Sequence, residues 1–407
     1  MKDRAQRAIA ECKLIAGFTE EPGRTTRRFL TPPMHDVHTH LRARMESMGM
    51  TVRVDAAGNL RGLWQPAGAE NKRLILGSHI DTVPNAGAYD GVLGVTLALE
   101  WVEIAQEIAL RRPIEVIAFS EEEGVRYGVP FLGSRAVAGV FDRAMLAYED
   151  ADGVRMDDAI RNFGLDPSKL DDASLDKSAW GFIEMHIEQG PVLEAENRPL
   201  AVVEGIAGQT RLQFVFTGHA NHAGTTPMHL RRDPLAAAAE WIGAVESLAQ
   251  STGGLVATVG RIAIEPNAAN VIPGRVTLSL DLRHLDDETR ANALAELKGN
   301  ATAICSTRVI GLECVEKMNQ HSVRMDDRMT ARLLGAATAA GSEGKSMPSG
   351  AGHDAMVMAA RVPTAMLFLR SPGGISHHPA EAVLEEDVAA ALAVGRAFFE
   401  QLATEVG

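Results

Sequence analysis

Thiol chemistry has little to work with in this chain. Its 407 residues hold three cysteines, Cys12, Cys305 and Cys314, with no CxxC spacing. That excludes a disulfide framework and a thiolate metal cluster, and predicts reduced thiols in a cytoplasmic protein. Positive charge is scarce too. Forty Lys and Arg against 53 Asp and Glu leave a formal charge of −13, the wrong sign for nucleic acid or an anionic membrane as partner. No apolar run approaches the roughly 18 residues that a spanning helix needs. The opening Met1-Lys-Asp-Arg-Ala-Gln-Arg7 lacks the apolar stretch of a signal peptide. Several hydrolase signatures are missing: there is no GxSxG, no HExxH and no P-loop. Cys314 follows Glu313, but no upstream Cys–His arrangement recommends it as a nucleophile.

What remains is an ordinary globular composition, 46% hydrophobic and 23% charged, long enough for two or three domains. Residues 1–50 read as helices with an Arg-rich turn at Arg24–Arg28. Leu74–Gly77 is strand-like and ends at His79; a helical stretch follows from about Gly91 to Leu110. Ile114–Phe119 reads as a second buried strand. Strands alternating with helices predict an α/β sheet with ligand groups gathered at the carboxyl ends of its strands. The texture changes after about Gly208. Arg211–Thr217 alternates as a half-buried antiparallel strand does. Pro234–Gln250 predicts a helix, Leu255–Ile264 and Val276–Leu282 two strands, and Asp287–Ala303 a second helix. This strand–helix–strand–strand–helix pattern predicts a small α+β domain at 209–324, inserted into a discontinuous catalytic domain of 1–208 and 325–407.

Four segments carry chemistry: Gly77-Ser-His79-Ile-Asp81 with Asp90-Gly91, Glu121-Glu122-Glu123-Gly124, His186-Ile-Glu-Gln189-Gly190, and Gly374-Ile-Ser-His377. Each sits where an apolar strand-like run gives way to a polar turn. Taken singly, each has an ordinary explanation: Asp90 as a helix N-cap, the glutamates as a solvated charge run, His186 as a core histidine, His377 as a surface one. Together they supply the imidazoles and carboxylates, about five in number, that a bridged pair of divalent ions needs. A carboxylate such as Asp90 can bridge two ions, which an imidazole cannot. Asp81, two residues beyond His79 on the same side, suits an orienting role. Adjacent glutamates permit one to ligate metal while its neighbour takes a proton from water.

In this order the segments resemble the M20 metallopeptidase-like superfamily, and most of all its amidase, hydantoinase/carbamoylase branch. The resemblance covers essentially the whole chain. It includes Gly218-His-Ala-Asn-His222-Ala-Gly-Thr-Thr-Pro-Met228 with Arg231-Arg232-Asp233, Asn267-Ala-Ala-Asn270-Val-Ile-Pro-Gly274 and Asp281-Leu-Arg283. It also includes Ser349-Gly-Ala-Gly-His353-Asp354-Ala355 and Ser376-His377-His378-Pro379-Ala-Glu381. Tyr127 stands where the family usually has phenylalanine.

The resemblance implies a mixed-sheet, zinc-peptidase-like α/β catalytic domain with an inserted lid and dimerisation domain. It implies two divalent ions, Zn or Mn with Co or Ni as alternatives. One would be held by His79, Asp90 and His186, the other by Asp90, Glu123 and His377. Glu122 matches the general base, Asp81 the orienting carboxylate, and His222 a histidine that stabilises the oxyanion in the partner subunit of a homodimer. Arg211, Asn270 and Arg283 match residues that grip a substrate carboxylate; Gln189 and His353 match pocket-lining positions. The implied activity is hydrolysis of a linear ureido or N-carbamoyl C–N bond in a small molecule, with allantoate first. Arg370, before Ser371-Pro-Gly-Gly-Ile-Ser-His377, points that way. N-carbamoyl-L-amino-acid hydrolase is the alternative, with β-ureidopropionase or ureidoglycolate amidohydrolase beside it, and a dipeptidase or aminoacylase more remote. A silent binding protein of this fold is expected to lack Glu122 or a ligand, and all are present.

Overall fold

The computed structural model describes residues 1–405. Two compact units result: Met1–Glu204 with Met325–Gly407, and Gly205–Arg324 between them in sequence. The first boundary therefore falls at 204/205 where the change of texture predicted 208/209. Along the chain come α1 (Lys2–Ala16), α2 (Pro32–Ser47), β1 (Thr51–Val54), β2 (Leu60–Trp64), β3 (Arg73–His79), α3 (Val92–Glu107), β4 (Ile114–Phe119), β5 (Ala179–Ile187) and β6 (Leu200–Ile206). The second unit follows with β7 (Gly208–Thr217), α4 (Pro234–Ser251), β8 (Val256–Thr258), β9 (Ile262–Glu265), β10 (Arg275–His284), α5 (Asp287–Arg308) and β11 (Gly311–Gln320). The chain then returns through α6 (Asp327–Ala339), β12 (Thr364–Leu369) and α7 (Glu385–Glu405).

In the first unit the strands run β1-β2-β4-β3-β5-β12-β6. The four central strands, β4, β3, β5 and β12, are parallel, while β1, β2 and β6 pair antiparallel. Parallel strands are covered on both faces, and β3, β4 and β12 are accordingly buried along nearly their whole length rather than at alternate residues. The register sets His79 opposite Phe119 and His186 opposite Phe368. Strands β3, β4, β5 and β12 thus end along one edge, and the polar turns after them converge.

Helix α3 is buried almost along its whole length, and small residues let it settle on the sheet. A Cβ on Gly94 would lie 2.1 Å from the Met185 carbonyl oxygen. Trp101 packs against Phe398 and Phe399 of α7 with ring centroids 6.2 and 5.6 Å apart. Glu100, buried in mid-helix, is matched by Arg4, Arg7 and Arg44, as a charge in that position must be. Among the described residues no helix is long and apolar enough to cross a membrane.

The second unit is an antiparallel sheet, β9-β10-β7-β11 with β8 also on β10, and its core holds side chains from α4 and α5. Strand β10 alternates half-buried with buried residues, the period-two pattern of a sheet with one covered face. Trp241 packs tilted against Phe214, ring centroids 4.2 Å apart, and donates from Nε1 to the Leu297 carbonyl at 2.9 Å. Three sequence expectations need correction here. Leu255–Ile264 is two short strands, interrupted around Gly260. Helix α5 runs on to Arg308. Strand β11 had no counterpart: most of its residues are exposed, so no apolar periodicity betrays it.

Candidate metal centre

His79 closes β3 and is buried. Its Nδ1 donates to the Asp81 carbonyl at 3.1 Å and lies 3.4 Å from Asp81 Oδ1, which leaves Nε2 available to a ligand. His186, near the end of β5, is arranged the same way. Its Nδ1 donates to the Ile187 carbonyl at 2.8 Å, and its Nε2 stands 3.4 Å from that of His79. Asp90 is not a helix N-cap. Gly91 takes that place with φ +65, and a Cβ there would strike the His79 ring at 2.5 Å. Asp90 instead turns both oxygens toward imidazoles: Oδ1 lies 3.2 Å from His186 Nε2 and 3.7 Å from His79 Nε2, and Oδ2 lies 3.3 Å from His377 Nε2.

The three glutamates after β4 divide. Glu121 turns inward and accepts from the Gly124 amide at 2.5 Å. Glu122 and Glu123 are held by Asp81, whose Oδ1 accepts from the Glu122 amide at 2.9 Å and Oδ2 from the Glu123 amide at 3.2 Å. One carboxylate therefore orients both His79 and the glutamate turn. His377, half-exposed and in the left-handed region with φ +55, brings Nε2 to 3.7 Å from Glu123 Oε1. Three sets of ligand atoms lie within 4.8 Å of one another: His79, Asp90 and His186; Asp90, Glu123 and His377; and His79, Glu122 and Glu123.

The charges fit a cation. Burial opposes ionisation of Asp90, but hydrogen bonds from His186, His377 and His79 outweigh it and hold the carboxyl well below its ordinary range. Burial above all, with the charge of Glu123 and against the pull of His79, holds Glu122 well above the ordinary range. Burial and the charge of Asp90 push Glu123 up to about 7. A divalent ion would supply the positive charge these carboxylates need. The donors are all nitrogen and oxygen, a set suited to Zn, Mn, Co or Ni.

Gln189, at φ +59, donates from Nε2 to both Asp90 oxygens at 3.2 Å and to Ser376 Oγ at 3.1 Å. His353 is fully buried behind His186, ring centroids 4.4 Å apart, and bonded to Ser349 Oγ at 3.0 Å. In the second unit, Arg211 and Asp281 are register partners on β7 and β10. The Asp281 carboxylate accepts from Arg211 Nε at 2.9 Å and from Arg283 Nε at 2.8 Å. His222 and Asn270 lie on exposed backbone joined by the Ala223 amide to the Asn270 carbonyl at 2.9 Å. His222 Nδ1 accepts from the amides of Gly224 and Thr225 at 3.1 and 3.2 Å, so the neutral ring carries its proton on Nε2. Arg370 forms a bidentate pair with Asp387 at 2.8 and 2.7 Å.

Sequence reasoning missed Ser78 and Glu184. Glu184 is buried in mid-strand, accepting from Ser78 Oγ and the Ala355 amide, each at 2.8 Å. A carboxylate inside the apolar run before His186 was itself a visible signal, because such groups are buried only when paired.

Residues 75–401 match the model of peptidase family M20/M25/M40. The chain is 38% identical to allantoate deiminase of Arabidopsis thaliana, covering 98% of this chain and 82% of that one. It is 39% identical to N-carbamoyl-L-amino acid amidohydrolase of Geobacillus stearothermophilus, covering 85% of each. The crystal structure of a hydantoinase/carbamoylase family amidase from Burkholderia multivorans superposes with a TM-score of 0.92 at 31% identity over 98% of both chains.

Proposed function

Because the chain belongs to peptidase family M20/M25/M40, we propose that it is a binuclear metal-dependent amidohydrolase of a linear ureido C–N bond, with allantoate as substrate. The observation that carries this is the placement of Asp90: its two oxygens face different ligand sets, as a bridging carboxylate requires. One ion would be held by His79, Asp90 and His186, the other by Asp90, Glu123 and His377. Bound divalent ions supply Lewis-acid polarisation of a carbonyl that resonance makes a poor electrophile, and make water more acidic. Glu122 removes the proton of the attacking water and returns it to the leaving nitrogen. Water adds to the ureido carbon and the bond to the terminal nitrogen breaks, releasing ammonia; the carbamate left behind loses carbon dioxide as its remaining C–N bond breaks, freeing the amine product.

Arg211, Asn270 and Arg283 bind the substrate carboxylate, a task suited to guanidinium groups. Asp281 keeps the two arginines side by side. Arg370 pairs with Asp387 and serves here only as a likeness in sequence; allantoate rests on the relatives that span most of the chain. N-carbamoyl-L-amino acids are the second reading, favoured by the Geobacillus enzyme. The test is metal-reconstituted protein offered allantoate, an N-carbamoyl-L-amino acid, N-carbamoyl-β-alanine and a dipeptide, with ammonia or amine release followed. Allantoate should give the highest kcat/KM, and chelated protein none. A preferred dipeptide, or undiminished turnover after chelation, would remove the reading; a preferred N-carbamoyl-L-amino acid would install the second.

The active form is a homodimer in which Nε2–H of the partner subunit's His222 donates to the oxyanion. Two inactive proteins, His222→Ala and Glu122→Gln, should then complement when subunits exchange. A mixed dimer has one site with both groups intact and one with neither, so random pairing restores about a quarter of wild-type activity. No recovery despite demonstrated exchange would place His222 within its own chain's site or outside catalysis.

A further inference from the structure

The two loops that deliver Asp90 and His377 are tied together by a carboxylate outside the three ligand sets. Glu381 is 6% exposed. Its Oε2 accepts from the amides of Tyr89 at 2.9 Å and Asp90 at 3.0 Å, and its Oε1 accepts from Ser376 Oγ at 3.2 Å. These bonds join segments some 290 residues apart in sequence. The Tyr89 and Asp90 amides lie ahead of Gly91, the N-cap of α3, outside the helix's own hydrogen-bond ladder, and the distant carboxylate satisfies both. The approach is close. A Cβ on Gly87 would come within 2.4 Å of both Cβ and Oε2 of Glu381. Only a residue without a side chain lets the carboxylate reach the Tyr89 and Asp90 amides.

We propose that Glu381 is a positioning residue for the ion held by Asp90, Glu123 and His377: it fixes the separation of Asp90 from His377. The proposal rests on the binuclear reading. It predicts an asymmetry between the two ions. His79 and His186 stand on β3 and β5, which are hydrogen-bonded neighbours in the sheet, and their spacing does not depend on Glu381. His377 stands on a loop whose backbone runs through the left-handed region at Gly373, Gly374 and His377 itself. Among the described contacts, Ser376 joins that loop to the Asp90 side through Glu381 and Gln189, and through a longer bond of 3.4 Å to Asp90 Oδ2 itself. Without Glu381 the ligand set containing His377 loosens, while the one containing His79 and His186 keeps two fixed members. Its negative charge beside the Asp90 amide also favours a cation there.

The test measures metal retention rather than turnover. Wild type, Glu381→Gln and Gly87→Ala are loaded with Zn²⁺ or Co²⁺ and dialysed against graded chelator. Metal per chain is then measured, and the visible spectrum of the Co²⁺ form recorded. Glu381→Gln removes the charge and one acceptor in nearly the same shape; Gly87→Ala leaves Glu381 in place but pushes it off the amides. Wild type should retain two ions. Both variants should retain one as wild type does and release the other about 10–100-fold more readily, with one component of the Co²⁺ spectrum altered. Ser376→Ala leaves Glu381 on the two amides but cuts the Ser376 bonds to Glu381, Asp90 and Gln189; it guards against misfolding in the others and should move the same way. Release curves that superimpose on wild type, or equal weakening of both ions in every variant, would overturn the proposal. Wild type that binds a single ion would instead overturn the binuclear reading, and this with it.

Discussion

Replacing Asp90 by alanine should cost more than any other single change to this protein. Asp90 faces His79 and His186 with one oxygen and His377 with the other, so its loss would strip a ligand from both ions of the proposed pair at once. Metal content should fall from two equivalents toward none, because three imidazoles with fewer carboxylates hold cations poorly. Lewis-acid catalysis is worth several kcal/mol, and each 1.36 kcal/mol is a factor of ten in rate, so turnover should drop by at least ~10³-fold. His377→Ala removes a member of one set only and should spare the first ion. Metal analysis alongside steady-state kinetics decides it: an Asp90→Ala protein with two ions and wild-type kcat would end the bridged-pair interpretation.

Glu122→Gln should behave in the opposite manner, losing rate without losing metal. The side chain keeps its volume and its backbone anchor, the bond from the Glu122 amide to Asp81 Oδ1, but can no longer accept a proton. General-base catalysis contributes roughly 10²–10⁴-fold, which is the expected fall in kcat. Glu123→Gln is the control, since its carboxylate pairs with His377, and it should release metal. Geometry alone leaves room for an exchange of roles, because Glu122 also lies within ligand distance of His79 and Glu123. If Glu122→Gln lost metal and Glu123→Gln kept it, the base and the ligand would have to be swapped.

The pattern of what could be read in advance has a physical basis. His79, the glutamate turn and His186 were visible because polar residues end apolar strands, and parallel strands aligned in register bring such ends together. Asp90 and His377 were visible as residue types, but only the family resemblance set them side by side, since the loops that carry them are joined through backbone amides and Ser376. Backbone amides have no letter in a sequence. Glu381 and Asp281 stood in the family-like strings without a visible role: each acts by holding other groups, backbone amides for Glu381 and two arginines for Asp281. Strand β11 was hidden for the reverse reason. It is held in the sheet by its ladder with β7, not by a buried apolar face. Arg370 shows a residue read for its type alone and then found paired, with Asp387.

The position of β12 has a consequence for how the protein is made. This strand lies between β5 and β6, parallel to the first and antiparallel to the second, yet the ribosome delivers it after the whole second unit. At ~5–20 residues per second, it emerges roughly ten to thirty seconds after β6. Until then β5 and β6 each present an unpaired edge, and such edges template pairing with other chains. Non-local strand pairing of this kind also closes slowly, because the entropy of a long loop is lost before its contacts form. The nascent first unit is therefore a natural client for chaperones, and a chain cut short before Thr364 would lack the strand that joins the two parts of its central sheet.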